Sequence, residues 1–420
     1  MLQKAAISVA EARRTILCHA RPLPAERIPV AQALGRVLAE PVASRLDLPP
    51  WDNSAMDGYA VRAADVREGA RLPVALDVPA GAAAGQVLPE GAAARIMTGA
   101  PLPEKADAIV PVELSAGPRG SGVYADPGEW VSFDRTPTPG HHVRQRGEDV
   151  RRGDVVIEAG EVCTPPRIAL AASVGRSSVT VFGQPRVSIV STGDELVDID
   201  EAGLSDRIIN GNAYGLAAMV LDAGGLPSVT PNVPDDEAQV RQAVDEGLRG
   251  DALVTVGGVS AGARDPVRPA LEAAGVELIL WRIALRPGGP MAFGVRPDGR
   301  CVFALPGNPV SALVTFELFV RPALLRMAGH SCCFRRPLRA RLEEPVEPAP
   351  GKETYLRCRL RREGREWKAW LSGAQGSGVL SALARAEGLV VVPADAGPLD
   401  PGSEVDVLPL DERPFRQEEG

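Results

Sequence analysis

Lysine is scarce in this sequence: four of the 46 basic residues are lysine, and the other 42 are arginine. Because alanine, glycine and proline are also abundant, we attribute this pattern to a bias of the whole genome rather than to local design. The formal net charge is -8 at pH 7. Nucleic acid and acidic membrane surfaces bind to basic faces, so this charge argues against both as partners.

The sequence also lacks a long apolar run. The segment Ile7–Ala20 carries charged side chains, so it is not a secretory signal. The most apolar stretch, Val302–Leu325, contains prolines and two charged residues, which excludes a membrane span. Six cysteines are scattered without a CxxC pair, and we interpret Cys332 and Cys333 as incidental thiols rather than a metal or redox site. These absences predict a protein of the reducing cytoplasm.

The chain has 420 residues, more than one hydrophobic core requires, so we expect two to four domains. A capping-box pattern at Ser8–Glu11 predicts a first helix, and we expect a second helix over Val30–Glu40, stopped by the proline that follows. From Leu46 to about His142, glycine and proline separate short apolar runs, which is typical of an all-β domain.

From Val179 onward, apolar runs alternate with segments of helical periodicity. The predicted strands are Val187–Val190, Val229–Val233, Ala252–Val256, Val276–Ile283 and Cys301–Leu305. The predicted helices are Gly215–Ala223, Glu237–Arg249, Val267–Ala274 and Pro309–Met327. This order predicts a doubly wound, mostly parallel α/β sheet with helices on both faces. After about His330 the alternation typical of strands returns, so a small β module closes the chain.

A glycine-rich turn follows the strand that ends at Val256. It contains Gly257, Gly258 and Ser260, and the next helix begins near Asp265. Ligands bind beyond the carboxyl ends of strands in open α/β sheets, and such a turn lets backbone N–H groups approach an anion. Alternatively, the glycines form a tight turn and Asp265 only caps the helix. The segment alone leaves both interpretations open.

Acidic and turn-forming residues follow other predicted strands as well. Ser191–Glu195 fits a cation or proton-transfer site, and it fits a helix cap equally well. Read alone, Asp235 and Asp236 favour a cap over a ligand. In the turn Leu305–Pro309, the asparagine suits a helix cap and the final proline the first helical position, while the glycine permits close approach to a ligand.

Two polar strings in the β region are harder to explain as structure alone. Trp51–Tyr59 holds two aspartates, an asparagine and a serine, a polar density that no strand or helix face demands. Arg144–Asp149 is either a solvated charged turn or part of a site. The four histidines have no partners near these motifs, so no Ser-His-Asp triad is predicted. Together, the glycine-rich turns and the acidic strings predict an enzyme that handles an anionic small molecule. Their carboxylates would hold a divalent cation against that molecule.

Taken together and in this order, the motifs resemble those of the molybdopterin molybdenumtransferase family, which includes the MoeA proteins and the gephyrin E domain. The resemblance covers nearly the whole chain, and the set is far more specific than any one member. The motifs that carry it are DNSAMDGYAVR (Asp52–Arg62), RIMTGAP (Arg95–Pro101), RGED (Arg146–Asp149), STGDEL (Ser191–Leu196), GGVSAG (Gly257–Gly262) and LPGNPVS (Leu305–Ser311).

The resemblance implies a multidomain α/β plus β fold, assembled as an elongated homodimer. It implies a helical linker domain (1–45 and 147–178, whose first helix can pack on the α/β domain), an inserted β domain (46–146), a molybdopterin-binding α/β domain (179–329), a C-terminal β-barrel domain (330–412) and a polar tail (413–420). The cleft of such a dimer lies between the α/β domain of one subunit and the inserted β domain of the other.

The implied reaction takes adenylylated molybdopterin and molybdate, inserts the metal at the dithiolene and releases AMP, with Mg²⁺ as the cofactor. By position, the functional acids are Asp57, Asp149, Glu195, Asp235 and Asp265. Asp235 and Asp265 are expected to hold the Mg²⁺. Residues expected to bind the pterin nucleotide are Thr98, Gly257, Gly258, Ser260, Pro306 and Pro309, and those for the oxyanion are Arg357 and Ser377.

The sequence departs from the family pattern at three positions. Arg282 and Arg286 stand where the family usually has catalytic lysines, and Gly289 stands in place of a third lysine. Guanidinium keeps the charge and still binds oxyanions, but it cannot act as a compact, movable point charge. Molybdate and tungstate therefore both stay open as the oxyanion. Alternative functions are the adenylyltransferase of the same pathway, which is also a candidate partner, and a non-catalytic molybdopterin-binding scaffold.

Overall fold

The computed structural model describes residues 6–201, 206–258 and 266–410. The chain forms two compact units, which we call the larger unit (1–26, 35–39 and 180–420) and the smaller unit (27–34 and 40–179). Ser260, Asp265 and the polar tail lie outside the described residues. Among the helices of the described part, none is both long enough and apolar enough to cross a bilayer.

The first 182 residues form mainly short strands. Their elements are α1 (Val9–His19), β1 (Ala25–Pro29), β2 (Val42–Ala43), β3 (Asn53–Ser54), β4 (Gly58–Val61), β5 (Arg71–Val78), β6 (Ala93–Ile96), β7 (Ala108–Pro111), β8 (Ser115–Gly117), β9 (Gly120–Ser121), β10 (Trp130–Phe133), β11 (Val143–Arg144), β12 (Val155–Ile157), α2 (Pro165–Ser173) and β13 (Ser178–Phe182). The predicted capping box is confirmed, because the Ser8 hydroxyl accepts a hydrogen bond from the Glu11 N–H at 3.2 Å.

The smaller unit is built on a mixed, half-barrel sheet in the order β7-β4-β6-β5-β10-β8-β9. Strands β5 and β6 run parallel, and the other neighbours run antiparallel. Alternating residues of β4 face two cores: Tyr59 and Val61 lie in one, and Ala60 lies in the other. The β character predicted for this part of the chain is therefore confirmed.

Gly58 allows strands β4 and β7 to approach closely. A Cβ atom on this residue would lie only 2.1 Å from the Val110 carbonyl oxygen. No side chain fits there without a shift of the backbone, so glycine must follow Asp57 in the DNSAMDGYAVR motif. The Asp57 carbonyl in turn accepts a hydrogen bond from the Val112 N–H at 3.1 Å, which places Asp57 at the start of the pairing.

The remaining elements alternate between helix and strand before they become mainly β. They are β14 (Arg186–Ser191), β15 (Leu196–Val197), β16 (Ile208–Ile209), α3 (Gly211–Asp222), β17 (Leu226–Val229), α4 (Glu237–Gly247), β18 (Ala252–Val256), α5 (Val267–Ala273), β19 (Glu277–Leu280), β20 (Leu285–Arg286), β21 (Ala292–Val295), β22 (Cys301–Leu305), α6 (Pro309–Thr315), a π-helix (Phe316–Val320), α7 (Arg321–Met327), β23 (Leu338–Leu342), β24 (Glu353–Glu363), β25 (Glu366–Leu371), α8 (Leu380–Ala384), β26 (Gly388–Val392) and β27 (Glu404–Pro409).

The α/β part of the larger unit is a six-stranded sheet in the order β17-β14-β18-β22-β21-β19. Strands β17, β14, β18 and β22 are parallel, and β21 runs against its neighbours. Ile189 packs in the core that α3 and α6 cover, whereas Val190 packs in the core that α4 and α5 cover. The predicted doubly wound, mostly parallel sheet is confirmed.

The C-terminal module is a closed barrel in the order β24-β25-β23-β27-β26, in which β26 pairs back with β24. As the alternation predicts, Leu356, Cys358 and Leu360 lie in its core. Strand β20 of the α/β part pairs with the start of β24. Tyr355 and Leu389 lie in the α/β core, so the barrel packs against the sheet through its outer face.

Three sequence predictions need correction. The helix expected over Val30–Glu40 is wrong: only Val30–Gln32 forms a 3-10 turn, Gly35 has a φ of 75°, and the Ala39 N–H bonds the Thr180 carbonyl. The strand expected over Val229–Val233 lies earlier, as β17. The single helix expected from Pro309 to Met327 is interrupted by the π-helix.

We predict that Gly58→Ala lowers the free energy of unfolding by about 1–3 kcal/mol, because the added methyl collides with backbone rather than with a movable side chain. Urea unfolding of the purified variant measures this change. Gly117→Ala in β8 is the matched control, since its Cβ would lie 3.3 Å from the nearest atom and should cost much less. Equal midpoints for the two variants would contradict the prediction.

Candidate active site

The ends of three parallel strands bring the predicted motifs together in the larger unit. Strands β14, β18 and β22 pair so that Ser191, Val256 and Leu305 lie side by side at the carboxyl edge of the sheet. The Gly257 N–H donates to the Leu305 carbonyl at 3.2 Å, and a Cβ on Gly257 would lie 2.6 Å from the Thr192 carbonyl oxygen. The described residues that directly follow these three strands therefore lie next to one another.

Acidic side chains gather at this edge of the sheet. Asp194 accepts a hydrogen bond from the Asp235 N–H at 3.0 Å, and the Glu195 carboxylate folds back over the preceding glycine turn. Burial, followed by the negative charge of Asp194 and Glu195, raises the pKa of Asp235. The cap is Asp236, whose carboxylate accepts from the Gln239 N–H at 3.0 Å. Asp235 is thus left available for another role.

The glycine turn itself is only partly described. Gly257 and Gly258 have φ angles of 91° and 65°, a region that glycine enters at little cost. Ser260 and Asp265, the predicted phosphate and Mg²⁺ ligands, lie outside the described residues. Within the described ranges, no group of three or more His, Cys, Asp or Glu side chains is arranged to hold a metal ion.

Three hydroxyl groups lie beside this turn: two belong to the STGDEL motif that the sequence singles out, and the third, that of Thr255, was missed by sequence reasoning. Ser191, Thr192 and Thr255 are buried, and their hydroxyls have no hydrogen-bond partner among the residues that the structure describes. Buried hydroxyls normally find partners, so these are available to a ligand or to the rest of the turn. Thr255 lies inside the predicted strand Ala252–Val256, where nothing in the sequence distinguishes it from an ordinary strand residue.

Arg357 is the most unusual side chain of the larger unit. It lies on β24 and is completely buried. Its Nη2 donates to the carbonyls of Ala374 and Gly376, both at 3.0 Å, while Nε and Nη1 have no partner among the described residues. Burial lowers the pKa of this guanidinium, although arginine keeps its charge in proteins. The adjacent Ser377 carbonyl accepts from the Val310 N–H of α6 at 3.1 Å.

A cavity of about 140 Å³ brings two of the predicted cationic residues to one place. Its lining includes Arg286, Tyr355, Arg357 and Gln375. Gln375 accepts from the Arg357 N–H at 2.9 Å and donates to the Arg357 carbonyl at 3.1 Å, so it clamps the backbone of that residue. Sequence reasoning missed Gln375, whose only signal was that it lies two residues before Ser377 in the glycine-rich segment GAQGSG (Gly373–Gly378). Arg282 is exposed and does not line this cavity.

The smaller unit joins Asp57 to Thr98. One Asp57 carboxylate oxygen accepts from the Thr98 N–H at 2.7 Å and from the Thr98 hydroxyl at 2.8 Å. The hydrogen bond from the Thr98 N–H is the main cause that holds the pKa of Asp57 below its usual value, and the bond from the Thr98 hydroxyl is the second. Both residues are exposed. The carboxylate is therefore ready to act as an anion at neutral pH.

The charged turn around Asp149 is ordered by the other polar string of this unit. The Arg146 N–H donates to Asp52 at 2.7 Å, and the Asp149 N–H donates to the Leu48 carbonyl at 3.1 Å. These hydrogen bonds fix the backbone of the turn, while the charged side chains at 144, 146 and 148 stay exposed. Asp149 itself is exposed.

Models of three known protein families match the chain. They are the MoeA N-terminal region (domains I and II) over residues 7–175, a probable molybdopterin binding domain over 188–326 and the MoeA C-terminal region (domain IV) over 339–410. A solved structure, the molybdopterin biosynthesis MoeA protein from Pyrococcus horikoshii, matches with a TM-score of 0.81 and 30% identity, covering 96% of this chain and 99% of that one.

Named relatives agree with the family models. Molybdopterin molybdenumtransferase 2 of Mycobacterium tuberculosis is 38% identical over 416 residues, which cover 96% of this chain and 99% of the relative. The molybdopterin molybdenumtransferase of Synechococcus elongatus is 36% identical over 402 residues, which cover 93% and 95%. The chain therefore belongs to the molybdopterin molybdenumtransferase (MoeA) family, a family of transferases of molybdenum cofactor biosynthesis.

Proposed function

We propose that this chain inserts molybdate into adenylylated molybdopterin and releases AMP, in a reaction that depends on Mg²⁺. The observation that carries the proposal is the buried guanidinium of Arg357, two of whose nitrogens have no partner among the described residues. A buried cation without an anion is costly, and a bound oxyanion would remove that cost. Molybdate is a doubly charged anion whose size suits the cavity of about 140 Å³ that Arg357 lines.

Neighbouring groups support an oxyanion at this position. Arg286 lines the same cavity as Arg357, and Ser377 follows the carbonyls that hold the Arg357 side chain. Guanidinium groups bind oxyanions through paired N–H donors. Tungstate has the same charge and shape as molybdate, so we expect these groups to bind either ion.

The pterin nucleotide would bind at the carboxyl edge of the parallel sheet. Gly257 and Gly258 would offer backbone N–H groups to a phosphate, together with Ser260. Pro306 and Pro309 flank the neighbouring turn, and Thr98 would contribute from the smaller unit. Asp57, Asp149, Glu195 and Arg282 are the further catalytic residues that we propose by position in the family motifs.

Asp235 and Asp265 would hold the Mg²⁺. The surroundings of Asp235 fit a cation, because burial and then the charges of Asp194 and Glu195 raise the pKa of Asp235, and a positive ion would offset those charges. Carboxylate oxygens are the ligands that Mg²⁺ prefers. When bound, the ion would balance the phosphate charge that these carboxylates would otherwise repel.

We further propose a cytoplasmic homodimer that receives its substrate from a molybdopterin adenylyltransferase. The proposed catalytic acids fall in both units of the chain, with Asp57 and Asp149 in the smaller and Glu195 and Asp235 in the larger. A shared cleft, in which each subunit supplies one set, would unite them. Sedimentation equilibrium of the full chain would test the dimer.

The reaction is tested by mixing the purified chain with adenylylated molybdopterin and Mg²⁺, with or without molybdate. Release of AMP only when molybdate is present supports the proposal. Binding of the pterin without AMP release would identify a non-catalytic binding protein instead. Transfer of adenylate from ATP to molybdopterin would identify an adenylyltransferase.

We predict that Asp235→Asn reduces Mg²⁺-dependent AMP release by roughly 100-fold or more, because several kcal/mol of charge stabilisation depend on the ion. The measurement is the AMP assay with increasing Mg²⁺. Asp236→Asn is the matched control, since asparagine caps a helix as well as aspartate does and activity should stay within about twofold. A normal rate in Asp235→Asn would remove this residue from the site.

We predict that Thr98→Val raises the pKa of Asp57 part of the way toward 3.8, because the backbone donor stays and the hydroxyl donor is lost. A ¹³C NMR titration of the Asp57 carboxyl measures it, with Thr98→Ser as the control that keeps both donors. The pKa of Asp57 in the folded protein lies below the unfolded value. These bonds therefore stabilise the fold above the unfolded pKa, and that contribution is lost as pH falls through the folded pKa. An unchanged titration would contradict the prediction.

A further inference from the structure

Asn210 links the first turn of α3 to the loop that carries Asp235. The residue is only 5% exposed. As the residue that caps α3, it accepts a hydrogen bond through Oδ1 from the Ala213 N–H at 3.2 Å. Its Nδ2 donates to Oδ1 of Asn232 at 2.6 Å, and its backbone N–H donates to the Val197 carbonyl at 3.0 Å. Each polar group of the side chain is thus used.

The two hydrogen bonds of this side chain explain why asparagine stands here. Serine, threonine and aspartate cap helices as well as asparagine does, but the ionised aspartate has no donor, and the two hydroxyl side chains are shorter. The cap also fixes the orientation of the amide, because Oδ1 must face the Ala213 N–H and Nδ2 must then face Asn232. A cap alone does not require an amide.

The loop that Asn232 anchors is the one that positions Asp235. Next along the chain, Val233 donates its N–H to the Ser191 carbonyl at 3.0 Å and accepts from the Gly193 N–H at 3.1 Å. Two residues later, the Asp235 N–H bonds the Asp194 carboxylate. The Asn210 side chain therefore holds this loop from the side of α3, while the end of β14 holds it from the side of the sheet.

We propose that Asn210 is a positioning residue that holds Asp235 beside Asp194 and Glu195 through its hydrogen bond to Asn232. The inference rests on the proposed role of Asp235. A neutral amide fixes the loop without adding another negative charge to the loop that already brings Asp235 to the Asp194 carboxylate. Neither asparagine contacts the substrate in this account, so their effect passes through the loop.

Hydrogen–deuterium exchange of the full chain tests the positioning directly. In Asn210→Ser, which keeps a cap but is too short to reach Asn232, and in Asn232→Ala, exchange of residues 230–236 should be about two- to tenfold faster. Asn212→Ala is the matched control. It removes a side-chain bond from the same turn of α3 to the Gly307 carbonyl, at 2.7 Å, so exchange over 230–236 should not change. Unchanged exchange in both test variants, or an equal increase in the control, would overturn the proposal.

A titration with Mn²⁺, in which the EPR signal of the free ion is the readout, distinguishes positioning of Asp235 from a general loosening of the loop. Both test variants should bind Mn²⁺ about two- to tenfold more weakly than the parent chain, while the KM for molybdate stays the same. Faster exchange with unchanged Mn²⁺ affinity would reduce Asn210 to a structural role and overturn the proposal. If the parent chain bound no Mn²⁺, the proposed metal site would fail, whereas the exchange experiment would still decide whether Asn210 holds the loop.

Discussion

The guanidinium of Arg357 is buried where the barrel packs against the α/β sheet, and the structure gives it two carbonyl partners but no acid among the described residues. Strand alternation imposes this placement: Leu356 and Cys358 fill the barrel core, so the residue between them must face outward. The loop that supplies the carbonyls is in turn bonded to α6 through Ser377. The junction between the barrel and the sheet therefore holds a positive charge without a described acidic partner, and a bound oxyanion would balance this charge.

Regular features of the fold could be predicted from periodicity and turn residues. Strands β18 and β22 have the predicted bounds, and the glycine turns lie where the motifs place them. Features that depend on distant partners could not be predicted. Strand alternation does not separate buried Arg357 from exposed Arg359, because it places both on the same side of β24; only the family resemblance singled out Arg357. The pairing of Asn210 with Asn232 likewise requires knowledge of how α3 packs.

The structure explains why glycine fits at position 289, one of the three positions where the resemblance implies a lysine. A Cβ atom there would lie 3.0 and 3.1 Å from the carbonyl oxygens of Leu285 and Ile283, which is closer than most real contacts. The Gly289 carbonyl also accepts from the N–H groups of Ile283 and Met291, both at 3.0 Å. The turn is thus folded tightly around a glycine, and a lysine would require it to open slightly. Positive charge nearby is supplied by Arg282 and Arg286, whose guanidinium groups bind oxyanions with a different geometry from ammonium.

Oxyanion binding at Arg357 is tested most directly by a crystal structure of the chain soaked with tungstate, in which anomalous scattering locates the metal. We predict a peak whose oxyanion lies about 3 Å from Nε or Nη1 of Arg357, next to Ser377 and Arg286. An ion found only elsewhere, with the Arg357 nitrogens bonded to protein or water, would contradict the account.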